Sequence, residues 1–396
     1  MRKSAIFSSF VLSLLLFLTA CAPEVPVQTS VSGSDSLIIA TFNDTTTLHF
    51  RVIAADEVEL VWDATDGKNY NTPSRYQHRG SLIVPATVNF DGKDFKVVSI
   101  GKNALFQQRS LTEIYIPDGV RHIAERALSG CDKLQSLRLP STLQSIGDEA
   151  IARCKQLTEM TLPDGLTLIG EHAMYDCKML REVTIPKSVT ILPKGLFSGC
   201  YSLQQVNMHN KLKVINARAF AYCELLEEIT LPSSVEQLGD ALFLNCTSLA
   251  DVTLPDNLEK IPEQCFSDCT SLKRVKLPSA LKYILAGAFL HCNTLPEIDF
   301  PDGLLAIDMD AFHACLGLKE IHLPQSLQFL GNDAFAHCRH LTDIYIPHTK
   351  PFEIDHESAL PGDPCWINIP KGSIDFFQFA PKWKKYKYRE VRNGRK

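Results

Sequence analysis

The sequence predicts a solenoid: a right-handed, curved array of about twelve coils of 23 residues, with a parallel sheet and a cap at each end. Three observations predict it. Proline stands at 117, 140, 163 and 186 and again at 232, 255, 278, 301, 324 and 347, every interval a multiple of 23, with His209 in the one gap. Cysteine keeps the same beat at 131, 154, 177, 200, 223, 246, 269, 292, 315 and 338. Between the two, apolar residues fall at fixed offsets with no insertion or deletion from Ile100 to Pro347. A fixed period in this range outranks local propensity, because one such unit cannot bury its own apolar face and must stack on its neighbours.

Each coil is legible internally. After Cys131 come Leu134, Leu137 and Leu139, then Pro140 at once. The second half of that segment alternates, as a strand with one buried face does. The proline lacks a donor and ends the strand. Pro-Asp-Gly at 117–119, 163–165 and 301–303 is turn chemistry. Leu143, Ile146, Ala150 and Ile151 then lead to Cys154. Ala219, Phe220 and Cys223 show the closing segment, which suits one short helical turn whose alanine allows close approach to the strand layer. One strand per coil is therefore expected.

The spelling Cys-x-x-Leu-x-x-Ile-x-Leu-Pro-x-x-Leu-x-x-Ile-Gly-x-x-Ala-Phe-x-x-Cys holds nearly verbatim from Cys131 to Cys154 and from Cys315 to Cys338. It resembles the 23-residue repeat of the BspA-like leucine-rich repeat family, and the array that carries it, 100–347, is roughly two thirds of the chain. Departures are local: Pro193 and Pro262 replace the glycine, Cys265 takes an alanine slot, and Gln108 stands where the first cysteine would be. The resemblance implies a leucine-rich repeat solenoid and a cell-surface adhesin that binds host or matrix proteins and other bacteria.

Before the array, residues 1–20 read as a secretory leader, with Arg2 and Lys3, an apolar run from Phe10 to Leu18, and small residues after it. Leu18-Thr19-Ala20-Cys21 resembles the bacterial lipoprotein box, so cleavage before Cys21 and acylation of its thiol are expected. A soluble secreted protein is the alternative. Residues 21–36, with Pro23, Pro26 and several Ser and Thr, read as a lipid-anchored tether. Residues 37–99 are β-rich and not repeated, and Ser81–Val88, Asp91-Gly92-Lys93 and Phe95–Val98 spell a hairpin. Pro85 to Ile100 is nine residues longer than Pro117 to Ile123, which makes the hairpin an insertion in a degenerate first coil. A solenoid end needs a polar outer cover, and 37–99 is expected to supply it.

After the array, 348–396 holds a degenerate last repeat, in which Ile369-Pro370 still sits 23 residues after Ile346-Pro347, and a C-terminal cap. Phe376, Trp383, Tyr386 and Tyr388 interleave with lysines there. They could meet a partner or a membrane, but the plainer expectation is a cap laying large rings over the last coil.

Chemistry is sparse. A net charge of −5 gives no basic footprint for nucleic acid. No phosphate loop or nucleophile motif occurs. Cys265 with Cys269, His291-Cys292 and His337-Cys338 hint at metal ligands, but the cysteines are repeat positions facing the core, so no metal, cofactor or enzyme activity is expected. The cysteine ladder has two readings. Neighbouring coils about 4.8 Å apart would allow five bridges in an exported protein. Equivalent stacked side chains point in parallel, however, and free cysteine packs as a small hydrophobe, which favours reduced thiols.

Outward strand positions escape the core pattern. Five places after each cysteine slot stand Glu113, Ser136, Glu159, Glu182, Gln205, Glu228, Asp251, Arg274, Glu297, Glu320 and Asp343, eight of the eleven acidic. Two places on are Tyr115, Arg138, Thr161, Thr184, Asn207, Thr230, Thr253, Lys276, Asp299, His322 and Tyr345. Carboxylates one strand apart repel. Such a column either keeps an exposed sheet from aggregating, with Arg181, Lys273 and Lys319 neutralising part of it, or forms a recognition strip for a protein with basic patches. The expected whole is a monomeric, non-enzymatic lipoprotein of the bacterial cell envelope. It is anchored to the outer membrane, displayed at the surface, and in contact with membrane through its lipid alone. An envelope scaffold or glycan-binding surface protein is the alternative.

Overall fold

The computed structural model describes residues 28–32, 37–42, 46–61 and 78–391. The leader, Cys21 and the first part of the tether lie outside the described residues. The array is a right-handed solenoid of about thirteen repeats with a mostly parallel sheet. Successive coils stack in strict register: Leu137 beside Ile114, Val183 beside Val206, Val252 beside Val275, Ile321 beside Ile344. The degenerate coils at both ends stay in that register, Leu82 beside Ile114 and Ile367 beside Ile344.

Most coils carry two strands, which corrects the expectation of one. The first is the three-residue strand before the proline, such as Glu182–Thr184 or Glu228–Thr230. Its buried middle residue lies between two outward ones, and the residue before the proline, such as Leu231, gives its N–H to Thr253 of the next coil at 3.0 Å. The proline carbonyl then closes a turn, as in Leu166 N–H to Pro163 O at 3.0 Å. A second strand of two residues follows, Ile191–Leu192 pairing with Val214–Ile215, and that with Gln237–Leu238. Two residues are too short for an alternation to show in sequence. The Gly239 slot lies against the coil below: a Cβ there would stand 2.1 Å from the Ala217 nitrogen.

The first ladder is interrupted in three places, and at one of them the sequence removes a donor. Gln204, Ala250 and Lys273 each give their N–H to the coil before, at 2.8, 2.8 and 3.0 Å. Pro296 occupies the same slot and has no N–H. No strand forms at Glu297–Asp299, and the sheet divides there.

The third side is a run of turns, where one short helical turn was expected. Ala219 N–H reaches Asn216 O at 3.3 Å and Cys223 N–H reaches Phe220 O at 3.3 Å. The third residue of each turn is left-handed, Arg218 at φ 57° and Tyr222 at φ 60°. That is the conformation a type II turn requires. A side chain there costs roughly 1–2 kcal/mol. The offset comes from the next coil, since Arg218, Phe220 and Tyr222 donate to Asp240, Leu242 and Leu244 at 2.9, 3.1 and 2.7 Å. Both left-handed positions recur every 23 residues, mostly without glycine.

Inside, Phe197, Phe220, Phe243, Phe266, Phe289, Phe312 and Phe335 stack nearly parallel with centroids 5.0 to 5.8 Å apart. Each is fully buried. The cysteine slot belongs to the same layer. Cys223 Sγ donates to Phe197 O at 3.4 Å, Cys246 Sγ to Phe220 O at 3.1 Å, and Cys338 Sγ to Phe312 O at 3.1 Å. The Phe197 carbonyl thus serves two donors, the Cys200 N–H of its own coil at 3.0 Å and a thiol from the next. All twelve cysteines among the described residues are free and buried.

The N-terminal cap is a sheet running into the second ladder. Leu37–Phe42, Thr46–Ala54 and Glu57–Val61 are antiparallel. Gln28–Ser32 joins Leu37–Phe42, so the end of the stretch read as tether contributes an edge strand. Glu57–Val61 then pairs in parallel with Lys93–Ile100, the second arm of the hairpin begun by Thr87–Phe90. Asp91 and Gly92 turn that hairpin with φ 49° and 74°, both positive as a type I′ turn needs. At the other end, Trp366–Pro370 and Lys387–Val391 add two parallel strands to the first ladder. Phe377, Trp383 and Tyr386 are buried over the last coil. Trp383 Nε1–H is held by Phe352 O at 3.2 Å and Tyr386 O–H by Glu357 O at 2.5 Å.

Burial pushes the thiols up, to about 12 for Cys177, Cys246 and Cys338 against an ordinary 9.0. Below pH 9.0 both folded and unfolded thiols are protonated, and their contribution is intact. Above it the unfolded chain ionises first, so stability falls as pH rises from 9.0 toward 12. The loss is about 1.4 kcal/mol per pH unit for each such thiol. Urea unfolding followed at about pH 8 and about pH 10 is expected to show this loss, with a shallower fall in Cys246→Ala than in the parent.

Candidate functional site

The first ladder places two side chains per coil on the outer face. Glu182, Gln205, Thr184 and Asn207 share two adjacent rungs, as do Glu228, Asp251, Thr230 and Thr253. The chain therefore carries the two columns named in the sequence along one face, with neighbours a strand apart. Its ends, Tyr115 and Tyr345, lie far from each other.

The acidic column is not uniform. Toward the N-terminal end Glu113, Glu159, Glu182 and Glu228 are exposed, and Glu159 stands directly opposite Glu182. Glu113, Glu159, Glu228 and Glu297 make no ion pair among the described residues. Asn207 binds two rungs together, its Nδ2 donating to Glu182 Oε1 at 2.9 Å and to Thr184 Oγ1 at 3.1 Å. Its Oδ1 accepts from Gln205 Nε2 at 2.8 Å. Tyr115 is exposed in the second column, beside the exposed Ile83 of the preceding strand.

From Asp251 onward, Glu297 apart, most of the column has a neighbour to contact. Arg274 pairs with Asp251 in the adjacent rung. Lys276 turns to Asp256 at 3.4 Å. His322 lies 3.6 Å from Glu320 and stacks on Tyr345 with centroids 4.3 Å apart. Asp343 accepts from Asn368 Nδ2 at 3.0 Å and lies 3.6 Å from Arg389.

Six residues of this face were missed by sequence reasoning, Ser81 and Ile83 beside Glu113 and Tyr115 at one end and four at the other. Trp366 and Asn368 continue the columns beside Asp343 and Tyr345, and Lys387 and Arg389 follow beside them. The arginine covers the Trp366 ring at 4.7 Å. Extending the 23-residue step beyond Asp343 and Tyr345 reaches Trp366 and Asn368. Lys387 and Arg389 come after a step of 21, and nothing in the spacing announces them. The second ladder also has an outward column, in which Leu168, Ile191 and Tyr283 are exposed.

Elsewhere, a cleft of about 550 Å³ opens between the last full coil and the cap, lined by His337, Arg339, Ser358, Asp363 and Lys385 among others. It lies on the turn side, apart from the columns. Among the described residues no group of three or more His, Cys, Asp or Glu could hold a metal ion. No helix among them is long and apolar enough to cross a membrane.

A family model described as the BspA type leucine rich repeat region matches in six copies over residues 98–227, 190–315 and 283–357. The fold matches a leucine rich cell surface protein of Faecalibacterium prausnitzii, 24% identical, covering 93% of this chain and 95% of that one at a TM-score of 0.56. It also matches the pneumococcal vaccine antigen PcpA, 17% identical, over 92% of this chain and 100% of that one at 0.52. A leucine-rich repeat protein of Bacteroides ovatus is 25% identical over 92% and 100%, at 0.46. No curated protein matches the sequence.

Directly opposed carboxylates should cost stability on their own. Glu159→Gln combined with Glu182→Gln is expected to raise the urea midpoint by the equivalent of about 0.2–1 kcal/mol at low salt. Added salt should erase the difference.

Proposed function

Because the chain belongs to the BspA-type leucine-rich repeat family, we propose that it is a non-enzymatic binding module whose strand face takes a protein partner in adhesion. The observation that carries this is the strand face itself: two outward side chains on each strand, paired in register within a series of short parallel sheets along the array. Such a face suits a broad or extended protein surface, whereas a small molecule is held by an apolar concavity with a few polar groups. Catalysis would need a convergent acid, base or nucleophile, and equivalent side chains in rows do not converge.

The partner proposed is a host or matrix protein with basic patches, meeting the exposed carboxylates from Glu113 to Glu228. Within the earlier set of candidate residues, Asp251 and Asp343 drop in weight, since each faces an arginine. The Leu18-Thr19-Ala20-Cys21 box supports anchoring by lipid to the bacterial envelope, and surface display follows from the adhesive role.

Glu159→Gln, Glu182→Gln and Glu228→Gln together should leave the fold intact, because all three are exposed. Kinetics against host matrix proteins at low salt are expected to show association slowed about fivefold or more, with dissociation little changed. Association as fast as the parent's would reduce the strip to a solvated face. Cys21→Ala is expected to move the protein out of the membrane fraction or leave it unprocessed, and an unchanged membrane association and mass would rule out lipidation. Protease treatment of intact cells separates outward from inward display.

A further inference from the structure

We infer that the C-terminal cap is a second binding surface, one that docks on an anionic lipid bilayer. This goes beyond the protein-binding role of the strand face and does not depend on it. It widens the expectation that membrane contact runs through the lipid anchor alone.

The structure sorts the aromatic residues of the cap into two groups. Phe377, Trp383 and Tyr386 are buried and close the end of the array. Their rings pack on one another and on Phe352, with Phe377 and Phe352 each 5.2 Å from Trp383. Phe376 and Phe379 do none of this. They are 51% and 78% exposed, and Phe379 is the most exposed large apolar side chain among the described residues. Phe376 lies in the short helix Ile374–Gln378 and Phe379 is its C-terminal capping residue. A spacing of three puts both rings on one side of it. Single exposed apolar residues are ordinary on soluble proteins. Two exposed phenyl rings three residues apart at the free end of a solenoid, neither sealing the core, are a different matter.

Charge then selects the partner. Residues 371–391 hold six lysines and arginines against Asp375 and Glu390, of which Lys385, Lys387 and Arg389 pair with Glu357, Asp363 and Asp343 and Lys382 bonds the Ile354 carbonyl, leaving Lys371 and Lys384. Asp375 and Glu390 are occupied locally. Glu390 Oε1 accepts the N–H of Gly372 at 2.7 Å and of Ile374 at 3.3 Å, and Asp375 Oδ1 accepts from Gln378 Nε2 at 3.1 Å. Lys350 Nζ sits 5.6 Å from the centre of the Phe376 ring. Lys371 and Lys384 are exposed and have no acidic partner among the described residues. A polyanion would pair with these ammonium groups and leave both phenyl rings in water. An anionic bilayer takes both, with the rings at the acyl boundary and the ammonium groups among the headgroups.

The test uses the full chain carrying Cys21→Ala, so that an acyl group does not mask the weaker contact. Sedimentation is compared on phosphatidylcholine vesicles and on mixed phosphatidylcholine–phosphatidylglycerol vesicles at low salt. Preference for the anionic vesicles is expected, falling about fivefold for each of Lys371→Gln and Lys384→Gln, the factor that about 1 kcal/mol per surface lysine represents. Phe376→Ser with Phe379→Ser should lower it at least as far, with an unchanged urea midpoint showing the cap intact. Equal binding to both vesicle types would overturn the inference. So would full binding by the double serine variant alongside a loss in the lysine variants, which would make the cap a site for a soluble polyanion. Glu159→Gln, Glu182→Gln and Glu228→Gln should not alter vesicle binding, which keeps this outcome separate from that of the strand face.

Discussion

Hydrogen bonds between consecutive coils are the constraint on which the rest depends. A 23-residue coil aims much of its backbone along the solenoid axis, where only the neighbouring coil can pair with it. On the turn side, Arg218, Phe220 and Tyr222 donate in one direction to the three alternate carbonyls of the next coil. At the corner between the ladders, Gly147 and Gly239 donate back to Ile123 and Ile215 at 2.7 and 2.8 Å. Inserting one residue would break several of these bonds at once, and buried backbone groups without partners are costly. That explains an array free of insertions and deletions over more than ten coils, and the confinement of its one long insertion, the hairpin turning at Asp91 and Gly92, to the first coil.

The same constraint decides how much of the fold could be read from the sequence. Proline, cysteine and leucine positions follow from burial and from lost donors, so the coil length, the first strand and the buried face were all legible. The second strand was not, because Ile191–Leu192 shows one residue per face and no alternation. Nor were the left-handed turns, whose positions hold Arg218, Tyr222, His172 and Asp268. A left-handed conformation is normally announced by glycine or asparagine. Here the neighbouring coil enforces it, and that neighbour has no local signature. Pro296 shows the opposite case: its missing donor was visible in the sequence, and its effect on the ladder becomes apparent only beside Lys273 and Gln204 in the equivalent slot.

Cysteine persists at its slot for a physical reason that the stack supplies. The phenylalanine carbonyl before it accepts one N–H from its own coil and has a second lone pair directed into the core. A small side chain with a weak donor fills that space and uses that lone pair, as Cys246 does at Phe220. Serine would bring a more strongly hydrated hydroxyl into an apolar layer, and alanine would leave the carbonyl with one partner. Ten thiols in register can therefore be a packing solution, with no need of disulfide chemistry.

The outward positions were legible as places but not as chemistry. Side chains there need only tolerate their own copies one strand away, so Glu113, Glu159, Glu182 and Glu228 recur without forming a centre. Whether a carboxylate remains open was invisible in the sequence, because Asp251 depends on an arginine in the next coil and Asp343 on residues of the closing segment. A regular stack can build broad surfaces of repeated character, but it cannot easily build a singular site, since any residue that appears once departs from the pattern its neighbours share. Singular chemistry is left to the ends, where the period stops. In this chain the closing segment is such an end, and it is there that two phenyl rings stand in water, one of them with Lys350 over its face.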